Sequence, residues 1–120
     1  MACLFFKPRQ TFDYDLRRLA RIDRTIVSEI REAIEILLDG QELPKEFNDH
    51  ALTRKYEGYR EFHLRDTPKG KQPSELNDVV VIYTVDNQNL TLIAVRAGAH
   101  SELFSGSNNS RKYRKKQKTK

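Results

Sequence analysis

Apolar residues recur along this chain first at helical spacing and then at strand spacing, with the change falling near residue 50. Phe12, Leu16, Leu19 and Ala20 share one side of a 3.6-residue period, which predicts a first helix. Asp13 and Asp15 stand early in it and Arg17, Arg18 and Arg21 late, the order that a helix dipole favours. Ile26, Ile30, Ala33, Ile34, Leu37 and Leu38 mark a second helix from about Thr25 to Leu38, and Gly40 is placed to end it. Ahead of both, "ACLFFK" reads as a short strand. After the irregular connector "ELPKEFNDHAL", the runs "YEGYREFHL", "VVVIYTV" and "LTLIAVR" read as three strands, and "DNQN" supplies the turn of an antiparallel hairpin between the last two. The expected fold class is α+β, in the order β-α-α-β-β-β. Its mostly antiparallel sheet carries the two N-terminal helices on one face.

Two helices cover one side of such a sheet and leave the other to solvent or to a groove. In "YEGYREFHL" a period of two puts Tyr59, Glu61 and His63 on one face and Phe62 and Leu64 on the other. The apolar pair belongs against the helices, which sends His63 to the open face. On or near this strand, Arg54, Lys55, Arg60, Arg65, Lys69 and Lys71 outnumber Glu57, Glu61 and Asp66.

Length and charge refine this picture. A chain of 120 residues suffices for one core and is too short for two. Of its 22 Lys and Arg, seven lie from Ser105 onward, where there is no Asp or Glu. That leaves 15 against all 17 acidic side chains, so the body of residues 1–104 is near −2 and the basic balance belongs to the tail. With almost nothing apolar to bury, residues 105–120 are expected to be disordered, either as a phosphate-binding arm or as a solubilising extension. Cys3 has no second cysteine to pair with, and no apolar run approaches the ~20 residues of a membrane helix. A soluble, cytoplasmic protein with no membrane contact is expected.

Three histidines invite a chemical reading. His50 precedes the second strand, His63 lies in it and His100 follows the last one, so neighbouring antiparallel strands could gather all three. An imidazole gives and takes a proton near neutrality. Each histidine alone reads equally as a surface residue. Their spacing matches neither HExxH nor a compact zinc motif, so neither a metal nor another cofactor is expected.

The stretches "DHAL", "EGYREFHL", "DVVVIY" and "RAGAHSELF", in this order behind two helices, resemble the YafQ branch of the RelE/ParE superfamily of bacterial toxins. The similarity spans residues 1–104. It is carried above all by Arg96, Gly98, His100, Leu103 and Phe104, and by Gly58, Tyr59 and Arg60 followed by His63. The resemblance implies a ribosome-dependent endoribonuclease, an mRNA interferase that cuts messenger RNA in the ribosomal A site. It also implies a cognate, DinJ-like antitoxin that holds the toxin inactive in a hetero-oligomer.

Carried over residue by residue, the resemblance puts catalytic roles on His50, His63, Asp78 and His100, with His100 the general acid. The base is left open among His50, His63 and Asp78, and Asp78 alternatively orients a histidine. Arg96 suits the phosphate, because a guanidinium grips two oxygens at once. Phe104 suits stacking on a base if it lies one helical turn beyond His100. It could equally close the core. Arg60, Lys55 and Arg54 complete the expected substrate-binding set, and the stretch from Arg54 to Lys71 is the expected antitoxin contact. Two features depart from the family pattern: the long connection "LRDTPKGKQPSELN" before Asp78, and the basic tail. A ParE-like toxin that binds gyrase without catalysis and a small basic nucleic-acid-binding protein are the alternatives.

Overall fold

The computed structural model describes residues 3–104 and the two-residue strands Gly106–Ser107 and Asn109–Ser110. The expected disorder of the tail over residues 105–120 concerns residues that lie, those four aside, outside the described ones.

Strand β1 (Phe5–Pro8) leads into helices α1 (Gln10–Ile22) and α2 (Arg24–Leu38). Only Asp23 separates the helices, and it caps the second. Its carboxylate accepts from the Thr25 N–H at 2.9 Å and from the Thr25 hydroxyl at 2.7 Å. Gly40, at φ 81°, ends α2. Its N–H donates to Leu37 O while that of Gln41 reaches Ile36 O, the paired bonds of a left-handed C-terminal cap. The second helix thus ends at Leu38 as expected and starts at Arg24, one residue before the expected Thr25.

Strands β2 (His50–Ala51), β3 (Arg60–Arg65), β4 (Val79–Asp86) and β5 (Thr91–Gly98) complete a five-stranded sheet in the order β1-β5-β4-β3-β2. It is antiparallel throughout except where β1 runs parallel to β5. The sheet differs from expectation in two places. The connector contributes the edge strand β2, too short for its pattern to show in sequence. The strand expected from Tyr56 starts only at Arg60, because a 3-10 turn over Arg54–Tyr56 and Gly58 at φ 95° bend the chain first. A short helix, α3 (His100–Phe104), follows β5 directly.

Phe12, Leu19, Ile26, Ile30, Phe62, Val79, Val81 and Leu92 form the main core between the helices and one sheet face. On the opposite face, Val80 and Ile82 of β4 meet Leu103 of α3, with Leu52, Tyr59, Val95 and Phe104 around them. β4 is therefore covered on both sides, which is why its five residues Val79–Tyr83 are apolar without alternation. The second cluster covers only part of that face, and the remainder is open to the site.

Candidate functional site

Strand geometry gathers the histidines. His50 of β2 stands opposite Glu61 of β3, and His63 lies two residues beyond Glu61 on the same face. His63 pairs with Val80, which pairs in turn with Gly98, so the start of α3 falls beside them and delivers His100. Glu61 sits at the centre, only 2% exposed. Its Oε2 lies 2.9 Å from His50 Nε2, 3.1 Å from His63 Nε2 and 3.9 Å from His100 Nε2. Its Oε1 is buried without a hydrogen-bond partner among the described residues.

The other ring nitrogens are also held. His63 Nδ1 is 2.9 Å from Asp66 Oδ1, and His50 Nδ1 is 3.2 Å from its neighbour's carbonyl, Ala51 O. The rings form a continuous row. His50 and His63 are 6.1 Å apart, His63 and His100 6.1 Å, His100 and Phe104 4.6 Å, and Phe104 and Tyr56 5.3 Å. A groove of about 390 Å³ opens on this row, and its walls include His50, Arg54, Lys55, Tyr56, His100 and Phe104.

Five expected site residues therefore converge with His63: His50, His100, Phe104 and the Arg54–Lys55 pair on the groove wall. Asp78 is engaged differently from a histidine-orienting acid. Its Oδ2 accepts the backbone N–H of His100 at 3.1 Å, so it fixes where α3 starts. Arg96 is gripped by Asp15 of α1, with Nε 2.7 Å from Oδ2. The same buried carboxylate takes the Ala97 N–H at 2.9 Å and Arg18 Nη1 at 2.6 Å. Glu75 takes the rest of the Arg18 guanidinium, and this contact above all pushes the Arg18 pKa up.

Arg60 is not brought to the cluster. Strand alternation turns it away from Glu61, and its Nε lies 3.0 Å from Asp49 Oδ1. Tyr83 donates its hydroxyl to that carboxylate, and burial raises the Tyr83 pKa. Arg65, inside the expected antitoxin contact, is likewise spent on Glu29 of α2 and on Leu76 O. The central residue Glu61 was given no role from sequence. The available signal was its shared face with His63.

Taken together, two helices on one face of a largely antiparallel sheet, and a histidine cluster beside a closing helix on the other, define a toxin of the RelE-like fold. The family model described as the bacterial toxin of the type II toxin-antitoxin system, YafQ, matches residues 4–105, and the chain belongs to this family. Among solved structures, a copper-bound mutant toxin from Helicobacter pylori is 31% identical. The match covers 84% of this chain and 99% of that one, with a TM-score of 0.67. YafQ from Escherichia coli is 22% identical over 84% of this chain and 98% of its own, with a TM-score of 0.66. The Escherichia coli DinJ–YafQ toxin-antitoxin complex matches at 22% identity, over 84% and 97% of the two chains, with a TM-score of 0.64. No curated protein matches by sequence. Among the described residues no helix is long and apolar enough to cross a membrane.

Proposed function

We propose that this toxin is a ribosome-dependent endoribonuclease that cuts messenger RNA in the ribosomal A site and so stops translation in the cytoplasm. The observation that carries the reading is the row of three imidazoles around the buried Glu61 carboxylate, open to a groove with Arg54 and Lys55 on its wall. A toxin that acted only by binding gyrase would have no use for such proton-transfer groups.

In this mechanism the RNA supplies its own nucleophile. His50 takes the proton from a 2′-hydroxyl, the 2′-oxygen bonds to phosphorus, the bond from phosphorus to the 5′-oxygen breaks, and His100 protonates that leaving oxygen. The products are a 2′,3′-cyclic phosphate and a 5′-hydroxyl. The Glu61 carboxylate, 2.9 Å from His50 Nε2 and 3.1 Å from His63 Nε2, balances charge as protons move. Arg96, oriented by Asp15, is assigned to the phosphate, with Arg54 and Lys55 on the flanking backbone. Phe104, already stacked on His100, extends the ring row toward a splayed base. Asp78 is a positioning residue in this scheme, because it holds the His100 backbone.

An antitoxin is proposed as the partner, with an acidic segment that folds over the groove and covers the histidines. The Escherichia coli DinJ–YafQ complex supports an antitoxin as the partner of a toxin of this fold. The test is primer extension on a message incubated with the protein in a translating extract, and with the same message lacking ribosomes.

A further inference from the structure

We propose that Asp49 is a positioning residue for the cleavage step: clamped by Tyr83 and Arg60, it fixes the short strand β2 and so aims His50 at Glu61 and the groove. The proposal rests on the nuclease reading, in which His50 is the general base. It begins from a weak point of the fold. β2 lies at the sheet edge, and only two residue pairs, His50 with Glu61 and Ala51 with Arg60, join it to β3. One further backbone bond, from Leu52 N–H to Tyr59 O at 2.8 Å, follows them. So short an edge strand frays readily, yet a proton acceptor has to be held to within a fraction of an ångström.

The chain before His50 supplies what the strand lacks. A 3-10 turn over Lys45–Phe47 sets the Phe47 ring 6.1 Å from that of Phe62 in the core. Asn48 then takes a left-handed conformation, φ 47° and ψ 50°, which asparagine tolerates better than most residues. Asp49 follows. Its carboxylate accepts the Tyr83 hydroxyl, 2.7 Å from Oδ2 and 2.9 Å from Oδ1, and Arg60 Nε at 3.0 Å, while its carbonyl accepts Arg60 Nη2 at 3.2 Å. Arg60 stands opposite Tyr83 in the register of β3 and β4, and opposite Ala51 in that of β2 and β3. One acid thus ties β2, β3 and β4 together beside the residue that carries the imidazole. The Asp49 carboxylate meets Tyr83, whose ring belongs to the main core on the helix side, whereas His50 meets Glu61 on the open face.

The packing of the core does not call for these polar groups. Tyr83 is 3% exposed and lies 6.0 Å from Phe62, a place that a phenylalanine would fill equally. A buried hydroxyl and a carboxylate beside it cost free energy until they are paired. What the pairing secures is the backbone at residue 49.

The test compares the full-length parent with Tyr83→Phe and Asp49→Ala, each labelled with heavy nitrogen and checked for fold by circular dichroism. Nuclear magnetic resonance of the histidine ring nitrogens reports the setting of each imidazole without any need for cleavage. The His50 signals are expected to shift in both variants while those of His100 stay in place. Cleavage on ribosomes programmed with a defined message should lose kcat, ~10-fold in Tyr83→Phe and ~100-fold in Asp49→Ala, with KM unchanged, the pattern of a displaced catalytic group. His50 signals that superimpose on the parent's, signals of His50 and His100 that move alike, kcat at the parent's level, or a loss confined to KM each overturns the proposal. If Asp49→Ala fails to fold, Tyr83→Phe decides alone, since it removes a single oxygen. Absence of cleavage by the parent refutes the nuclease reading instead, and the ring spectra still show whether Asp49 aims His50.

Discussion

At the residue scale, His100 and Glu61 separate chemistry from architecture. His100 is half exposed and the main core does not depend on its ring. His100→Gln is expected to lower cleavage by ~10²-fold or more, the range for losing a general acid, with melting temperature and circular dichroism unchanged. A parallel loss of fold and activity would make the ring structural. Glu61 was hidden in the sequence for a physical reason. A carboxylate between an arginine and a phenylalanine in a strand looks like an ordinary solvent-facing residue. Only the cross-strand register that sets His50 opposite it shows why a charge can be buried there. Of the three histidines, by contrast, alternation sent His63 to the open face, and strand order allowed His50 and His100 to join it.

At the element scale, α1, β5 and the long β3–β4 connection are joined through one buried carboxylate. Asp15 takes Arg18, Arg96 and the Ala97 N–H, and Arg18 carries the link on to Glu75. Removing a buried partner of an ion pair costs ~3–5 kcal/mol. Because both arginine side chains are about a third exposed or more, Asp15→Asn is expected to cost about 2 kcal/mol in a urea melt. Gly98 lies under the same network. A Cβ there would come within 2.9 Å of Arg18 Nη2 and 3.1 Å of Glu75 Oε2 at φ +156°, so Gly98→Ala should lower the melting temperature and displace the Arg18–Glu75 pair.

The helix junction gives a pH prediction. The contacts of Asp23 with Thr25 hold its carboxyl below the ordinary value of 3.8. A carboxyl whose folded pKa is depressed contributes stability that is complete above the unfolded value and is lost as pH falls through the folded one. Asp23→Asn should therefore be less stable than the parent at pH 7, and the two melting temperatures should converge as pH falls below 3.8 and through the depressed folded value. Equal stability at pH 7 would remove the carboxylate charge from the account, since Asn keeps the capping contact. The helices were legible because capping and a 3.6-residue stripe are local signals. β2 was not, since two residues at a sheet edge take their conformation from the strand beside them.

At the scale of the whole molecule, charge and fold divide the work. The body carries a slight negative balance while residues 105–120 hold seven basic side chains. Affinity for naked RNA should come mainly from the tail and fall steeply with salt. A variant ending at Phe104 should lose most of that affinity in filter binding while keeping ribosome-dependent cleavage. Retention of tight, salt-sensitive binding would place the phosphate contacts on the body instead. The order of helices and strands was readable at this scale, but the run Val79–Tyr83 was read as a strand with one face open, whereas it is buried on both. What covers it, the single turn of α3 anchored by Leu103, depends on tertiary packing that no local pattern encodes.

The most direct measurement is primer extension along a defined message, in a translating extract and in the same buffer without ribosomes, with the parent protein and with His100→Gln. Cleavage within the translated frame that requires ribosomes and vanishes with His100→Gln is the predicted result. Equal cleavage without ribosomes, or cleavage that survives in a folded His100→Gln protein, would contradict it.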